Sequence, residues 1–227
     1  MANHLDLEEQ EQLDQLKHFW NTYGNYITWV LIAVFGAVAA YNGWQYWQRT
    51  QATQAAQLYD DVERFAAAGD AAKAEAAFNA IKDKFGGTSY AQQAGLLAAR
   101  LQVEKGNVDA AKTALGWVAE KASDEGYQAA AKLRLAALLA ESKAYDEALK
   151  QLSGSFPKSF EPLAADRRGD VYSLQGKKAE AKAEYLKAWQ GMSETADYRN
   201  LVEVKLNALG VDPRGSKPAA AAATAKS

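Results

Sequence analysis

The 227-residue sequence predicts an all-α protein in which one N-terminal transmembrane helix precedes a solenoid of four helix pairs and a C-terminal capping helix. Three observations lead to this prediction. The apolar residues are mostly alanine and leucine, and only four prolines interrupt the chain, which is a composition typical of helices. Residues 27–47 contain no formal charge. Beyond them, a turn followed by an alanine occurs four times at nearly regular spacing.

Residues 1–25 are predicted to form an amphipathic segment. They contain five acidic residues and one lysine, and Leu13, Leu16, Trp20 and Tyr23 are spaced to share one face of a short helix. A stripe of this kind rests on the membrane surface or on the chain's own membrane helix, and the alternative is that it docks a partner helix.

Residues 26–48 are predicted to span the membrane. The 21 uncharged residues 27–47 would form a helix of roughly 31 Å, which matches the ~30 Å hydrocarbon core of a bilayer. Tryptophan and tyrosine favour headgroup depth, so the rings at both ends are predicted to contact membrane lipid at its interfaces. These rings are Trp20, Tyr23, Tyr26, Trp29, Tyr41, Trp44, Tyr46 and Trp47.

Two alternatives to a retained membrane helix exist. A buried core helix would not need aromatic clusters at both ends. A signal peptide cleaved near Ala39 would release a soluble scaffold, but signal peptides begin with a basic segment and this chain begins with an acidic one. Charge does not orient the span, because Lys17 on one side faces Arg49 and Arg64 on the other.

Residues 49–210 are predicted to form the solenoid. The alanines of the four turns are followed four residues later by a large apolar residue, and the units begin 37, 37 and 33 residues apart. A small residue lets two antiparallel helices approach closely, and the large residue one turn later fills the adjacent groove. The alanines are Ala74, Ala111, Ala148 and Ala181, and the large residues are Phe78, Leu115, Leu152 and Tyr185.

The first helix of each pair is expected at about 52–67, 89–104, 127–142 and 162–175. Twelve residues before the alanines stand small or β-branched residues that would meet the second helix: Val62, Ala99, Ala136 and Gly169. The pattern resembles the tetratricopeptide repeat, most clearly in "RRGDVYSLQGKKAEAKAEYLKAW". Three departures are that Lys143 replaces a turn glycine, that Gln102 replaces an aromatic, and that the period exceeds the usual ~34 residues.

The C-terminal part is predicted to contain a capping helix and a tail. Residues 193–210 have apolar spacing for a helix that covers the last pair, and residues 211–227 are an alanine-, proline- and lysine-containing segment without periodicity, predicted to be disordered.

No catalytic, cofactor-binding or metal-binding residue is predicted. The chain has no cysteine, which excludes disulfides and thiolate chemistry, and His4 and His18 lie far in sequence from the carboxylates of the solenoid. There is no phosphate-binding glycine loop, and no basic patch points to nucleic acid. An enzyme would need a convergent polar cluster for which the sequence offers no candidate. The tripeptide that begins at Arg168 and includes Gly169 is predicted to lie inside a helix pair.

The acidic segment containing "LDQLKHFWNTYGN", the motif "GWQYWQ", the degenerate repeats and "RRGDVYSLQG" resemble the YfgM family of bacterial inner-membrane proteins, ancillary subunits of the SecYEG translocon. The resemblance covers most of residues 5–210. It implies a cytoplasmic N-terminus, a single span and a periplasmic repeat domain. It also implies a non-enzymatic role in assisting newly exported client polypeptides, in association with SecYEG and a PpiD-like periplasmic chaperone.

Protein binding is predicted on the inner surface of the solenoid, which the first helices line. The residues chosen are polar or amphipathic positions that pair packing does not use: Tyr59, Gln93, Arg100, Arg134 and Arg167.

Overall fold

The computed structural model describes residues 7–215, where the chain forms nine α-helices and no strand. This confirms the all-α prediction. His4 and residues 216–227 of the predicted tail lie outside the described residues. The chain divides into two compact units, Met1–Gln51 and Ala52–Ser227.

Helix α1, Leu7–Ala67, is 61 residues long and contributes residues to both units. The sequence predicts a short amphipathic helix, a membrane span and the first solenoid helix as separate segments, whereas the structure has one unbroken helix. The reason is that this stretch contains no proline. Its interior glycines each cost only about 1 kcal/mol relative to alanine, too little to end a helix whose other residues favour it.

The first unit contains a stretch of α1 that is long and apolar enough to cross a membrane. None of the side chains in its most apolar window is buried, as a helix without protein neighbours requires. The eight predicted interface rings are all exposed. Neighbouring rings touch along the helix, with centroids 5.2 Å apart for Trp44 and Trp47.

The second unit contains the end of α1 and eight further helices, with short turns inside each pair. The second helices of the four pairs are α2, Ala71–Phe85; α4, Val108–Lys121; α6, Tyr145–Gln151; and α8, Lys178–Gly191. The first helices after α1 are α3, Ser89–Glu104; α5, Glu125–Glu141; and α7, Glu161–Leu174. Helix α9, Asp197–Ala208, packs against α8.

Pair packing follows the repeat pattern. All four repeat alanines are fully buried. The residues twelve positions earlier are buried as well, and in the last pair that residue is Gly169. A β-carbon on Gly169 would come within 2.5 Å of the Tyr185 ring, so only glycine fits where the partner is this large. The small-against-large pattern of the sequence is therefore the packing rule of the solenoid.

The turns inside the pairs share one backbone motif. A residue in the left-handed conformation follows each first helix: Gly69, Gly106, Lys143 and Gly176. The next residue's N–H bonds back to the residue nine positions before the repeat alanine, as in Asn107 to the Gln102 carbonyl at 2.8 Å. This is the Schellman closure of a helix C-terminus. Lys143 adopts φ 61°, and it is the only non-glycine residue with positive φ in the described range.

Replacing Lys143 by glycine is expected to raise the free energy of unfolding by about 0.5–1 kcal/mol. The left-handed conformation costs an L-residue roughly 1–2 kcal/mol, and the added flexibility of glycine in the unfolded chain returns part of the gain. Urea unfolding followed by circular dichroism measures the change. Lys143→Ala is the control, because it removes the side chain and keeps the strain. Equal stability of the alanine and glycine variants would contradict the explanation.

The apolar interior consists of two clusters of buried residues. The larger one extends from α1 to α7 and includes Val62, Ile81 and Leu115. The smaller one joins α7, α8 and α9 through residues such as Tyr185 and Leu206. Helix α7 takes part in both, because Ala164 belongs to the larger cluster and Ala165 to the smaller.

Candidate functional site

The first helices α1 and α3 form the groove in which two of the predicted binding residues lie. At one end the rings of Tyr59 and Tyr90 have centroids 5.8 Å apart. Glu63, one turn after Tyr59, bonds to the Tyr59 hydroxyl and also lines a cleft of about 240 Å³. The remaining walls of that cleft are Ala66, Ala67, Leu97, Arg100, Leu101 and Glu104. Glu63 thus connects Tyr59 to Arg100, and we call this surface the α1–α3 groove.

The groove has an amphipathic lining. Burial, reinforced by the charge of Glu63 and its hydrogen bond, raises the pKa of Tyr59, so its hydroxyl remains a donor at neutral pH. Arg100 is exposed and its Nε lies 3.0 Å from a carboxylate oxygen of Glu104. An exposed pair of this kind contributes only about 0–1 kcal/mol, so both groups can exchange partners. Such a surface suits adaptable contacts with another polypeptide.

The other three predicted binding residues differ in availability. Gln93 is half-buried on α3, and Arg134 is exposed on α5. Arg167 is half-buried on α7, where its guanidinium lies 3.2 Å from Asp170. None of the three lines the cleft that contains Arg100. Their part in binding remains a prediction, and Arg167 is already engaged within its own helix.

Sequence reasoning missed a polar cluster between α7 and α9. The Lys205 ammonium lies 2.8 and 2.9 Å from the two carboxylate oxygens of Asp166 and 2.7 Å from Asp170. The hydroxyls of Tyr198 and Tyr185 donate to Asp166 and Asp170, each at 2.8 Å. Asp166 is only 1% exposed, so its charge depends on these partners. We call these five residues the Lys205 clamp.

Both tyrosines of the clamp are donors at any physiological pH. Burial raises the pKa of Tyr185, and the hydrogen bond to Asp170 raises it further. Burial followed by the bond to Asp166 does the same for Tyr198. The carboxylates therefore receive hydrogen bonds from neutral hydroxyls and from one ammonium. This satisfied arrangement fastens α9 to the last pair and leaves no activated nucleophile or base.

Arg168 serves the same end of the solenoid. Its guanidinium donates to Glu184 on α8 at 2.7 Å and to the carbonyl of Leu152 at 3.0 Å, and Gly169 beside it is buried. The tripeptide at this place is thus occupied by packing, as its repeat position predicts. Among residues 7–215 no group of three histidine or acidic side chains is arranged to hold a metal ion.

A signal for the clamp was present in the sequence. Asp166 and Asp170 are three residues before and one residue after Gly169, so all three share the face of α7 that packs against its neighbours. Two carboxylates on a packed face require a cation. The identity of that cation could not be read, because Lys205 lies 35 residues beyond Asp170.

Comparison with known proteins agrees with the architecture. Residues 17–211 match the family described as tetratricopeptide repeat-like domain. A curated protein of Neisseria gonorrhoeae (strain ATCC 700825 / FA 1090), described as an ancillary SecYEG translocon subunit, is 33% identical over 210 residues, which cover 92% of this chain and all of that protein. No solved structure matches the chain.

Proposed function

The chain belongs to the YfgM family of ancillary SecYEG translocon subunits, which have a tetratricopeptide repeat-like domain, and on that premise we propose that it is a membrane-anchored, non-enzymatic subunit of the Sec translocon. One observation carries the proposal furthest. The same helix that contains an exposed, membrane-length apolar stretch also supplies the first wall of an open solenoid groove. An anchor joined to a binding surface suits recruitment at a membrane channel.

The proposed placement is a single pass through the bacterial inner membrane, with the N-terminus cytoplasmic and the solenoid periplasmic. In this position the groove would meet newly exported clients and a PpiD-like periplasmic chaperone. The family resemblance supports the orientation, since the charges flanking the span do not decide it. The rings at both ends of the span support the anchor, because they favour the two membrane interfaces.

Co-purification with an intact membrane helix tests the proposal. Membranes are solubilised in mild detergent, the protein is captured, and its companions are identified by mass spectrometry. Translocon subunits are the expected companions. Their absence would contradict the proposal. Before solubilisation the chain should stay in the pellet after carbonate extraction, and release of a product trimmed near Ala39 would instead support the soluble scaffold.

Protease accessibility tests the orientation separately. Protease added to spheroplasts is expected to digest the solenoid while sparing the N-terminal segment. Lysed cells serve as the control in which both parts become accessible. Protection of the solenoid in intact spheroplasts would reverse the assignment.

Reversing the charges of Arg100 and Arg134 together is expected to weaken partner capture while changing the free energy of unfolding by less than about 1 kcal/mol. Both side chains are exposed, and exposed ion pairs contribute little to stability. The measurement is quantitative recovery of partners in the same co-purification. The matched control is Lys121→Glu with Lys150→Glu, which makes the same charge change on second helices α4 and α6. Equal recovery for both double variants would place binding on another surface.

A further inference from the structure

Three rings recur in phase with the repeat. Tyr90, Tyr127 and Phe160 each stand 21 residues before a repeat alanine, and they are therefore 37 and 33 residues apart. They lie at the beginning of α3 and α5 and at the N-cap of α7. All three are partly buried, with one side packed against the larger apolar cluster and the remainder exposed.

These rings form a continuous series with Tyr59. The Tyr59 and Tyr90 rings are in contact, and the charge of Tyr127 reaches the Tyr59 hydroxyl. At the other end, the Phe160 ring lies 3.8 Å from the β-carbon position of Gly126, the residue before Tyr127. Helix α3 contacts α5, and α5 contacts α7. We call Tyr59, Tyr90, Tyr127 and Phe160 the aromatic row.

The spacing of the row favours one backbone conformation in a bound segment. Packed helices have axes about 8–10 Å apart, so rings at equivalent positions of neighbouring first helices recur at about that interval. A polyproline II chain has three residues per turn and rises ~3.1 Å per residue, so its same-facing side chains recur every ~9 Å. A helix repeats at ~5.4 Å per turn, and alternate residues of a strand recur every ~7 Å. The polyproline II repeat fits best.

The charges beside the row are mainly negative. Within three residues of the three in-phase rings stand Asp124, Glu125 and Glu161 and one base, Lys158. Glu63 bonds to Tyr59. Glu161 is partly offset by Arg168 at 3.8 Å, and the Asp124 carboxylate also caps α5, so Glu63 and the exposed Glu125 are the most available carboxylates. This charge complements lysine or arginine, which also bind favourably over aromatic faces.

We propose that the aromatic row binds an extended, proline-containing segment of another polypeptide that carries lysine or arginine, with one side chain in three directed at each successive ring. The inference rests on the proposed function, because it names the kind of partner segment that the solenoid receives. It adds a direction of binding across the first helices and a requirement for positive charge. Neither follows from the family.

Fluorescence anisotropy with labelled peptides tests this on the full chain in detergent. The probes are four repeats of Lys-Pro-Pro, four repeats of Glu-Pro-Pro and four repeats of Lys-Gly-Ser. The first peptide is expected to bind at least about threefold more tightly than each of the others, because it alone combines charge with the preformed extended backbone. Equal affinity for the Lys-Pro-Pro and Lys-Gly-Ser peptides, or tighter binding of the acidic peptide, would overturn the proposal.

Substitutions locate the binding. Tyr127→Leu keeps apolar packing and removes the ring face, and it should weaken binding of the Lys-Pro-Pro peptide about three- to tenfold. Glu125→Lys should weaken it as well without depending on a packed side chain. Tyr145→Leu on α6, outside the row, is the matched control, and each variant's thermal unfolding is measured. If Glu125→Lys and Tyr127→Leu bind as tightly as Tyr145→Leu, the row is not the site.

The same variants separate this inference from the proposed function. Retained co-purification of translocon subunits by a protein that shows no preference for the Lys-Pro-Pro peptide would overturn the row proposal alone. Peptide binding at the row without translocon subunits in the co-purification would overturn the translocon assignment and leave the row proposal supported.

Discussion

Replacing Lys205 by methionine is expected to lower the free energy of unfolding by about 3 kcal/mol, because removing one partner of a buried ion pair typically costs 3–5 kcal/mol. The lower end of that range applies because the Lys205 side chain is 22% exposed. Methionine preserves most of the apolar stem, so the loss reports the charge. After the change, Asp166 keeps a hydrogen bond from Tyr198 but has lost its ammonium. Urea unfolding of the full chain in detergent, followed by circular dichroism, measures the loss.

Two comparisons isolate the buried charge as the cause. Lys187→Met removes an ammonium paired with Glu184 whose own side chain is 63% exposed, and it should cost less than about 1 kcal/mol. Adding Asp166→Asn to the Lys205→Met variant should recover part of the loss, because the uncompensated carboxylate is then gone. A Lys205→Met variant as stable as Lys187→Met would show that water reaches the carboxylates and that the clamp is not a buried pair.

Replacing Gly169 by alanine is expected to cost about 2 kcal/mol. The added methyl group would lie 2.5 Å from the Tyr185 ring, and overpacking of this severity costs about 3 kcal/mol, while alanine's higher helix propensity returns about 1 kcal/mol. The ring cannot move aside easily, because its hydroxyl is bonded to Asp170. The same urea measurement applies.

A second substitution tests the steric cause. In pairs two and three the position of Tyr185 is occupied by Leu115 and Leu152, and the facing residues there are Ala99 and Ala136. In a Tyr185→Leu background, Gly169→Ala should therefore cost much less than in the natural chain, or should stabilise it. A penalty that is unchanged by Tyr185→Leu would attribute the loss to something other than contact between these two residues.

Much of the solenoid could be predicted because its packing rule is local in sequence. The turn residue, the repeat alanine and the large residue four positions later lie within one short stretch, so each pair announces itself. The predicted first helices agree with the observed ones to within two residues, as for 89–104 and Ser89–Glu104. Even the departures are informative, since Lys143 adopts the left-handed conformation that glycine takes in the other turns.

Other features depend on contacts distant in the chain, and these could not be predicted. The clamp joins residues 35–39 positions apart, and no periodicity connects Lys205 to Asp166. Gln102 departs from the aromatic of the repeat because its amide bonds to Glu75 and to the carbonyl of Ala71 in the preceding pair. The binding residues were chosen by exclusion from packing, and exclusion cannot tell that Arg167 is engaged with Asp170 while Arg134 is exposed.

The division of the apolar interior at α7 has a consequence for cooperativity. The larger cluster holds the first three pairs together, whereas the end formed by α8 and α9 is fastened to α7 by a small cluster and the Lys205 clamp. Because such an end has few apolar contacts to lose, it forms a foldon that opens below the global free energy of unfolding. Amide hydrogens of α9 should therefore exchange before those of α4. The α1–α3 groove lies on the other side of that boundary, so it stays folded while the end opens and closes.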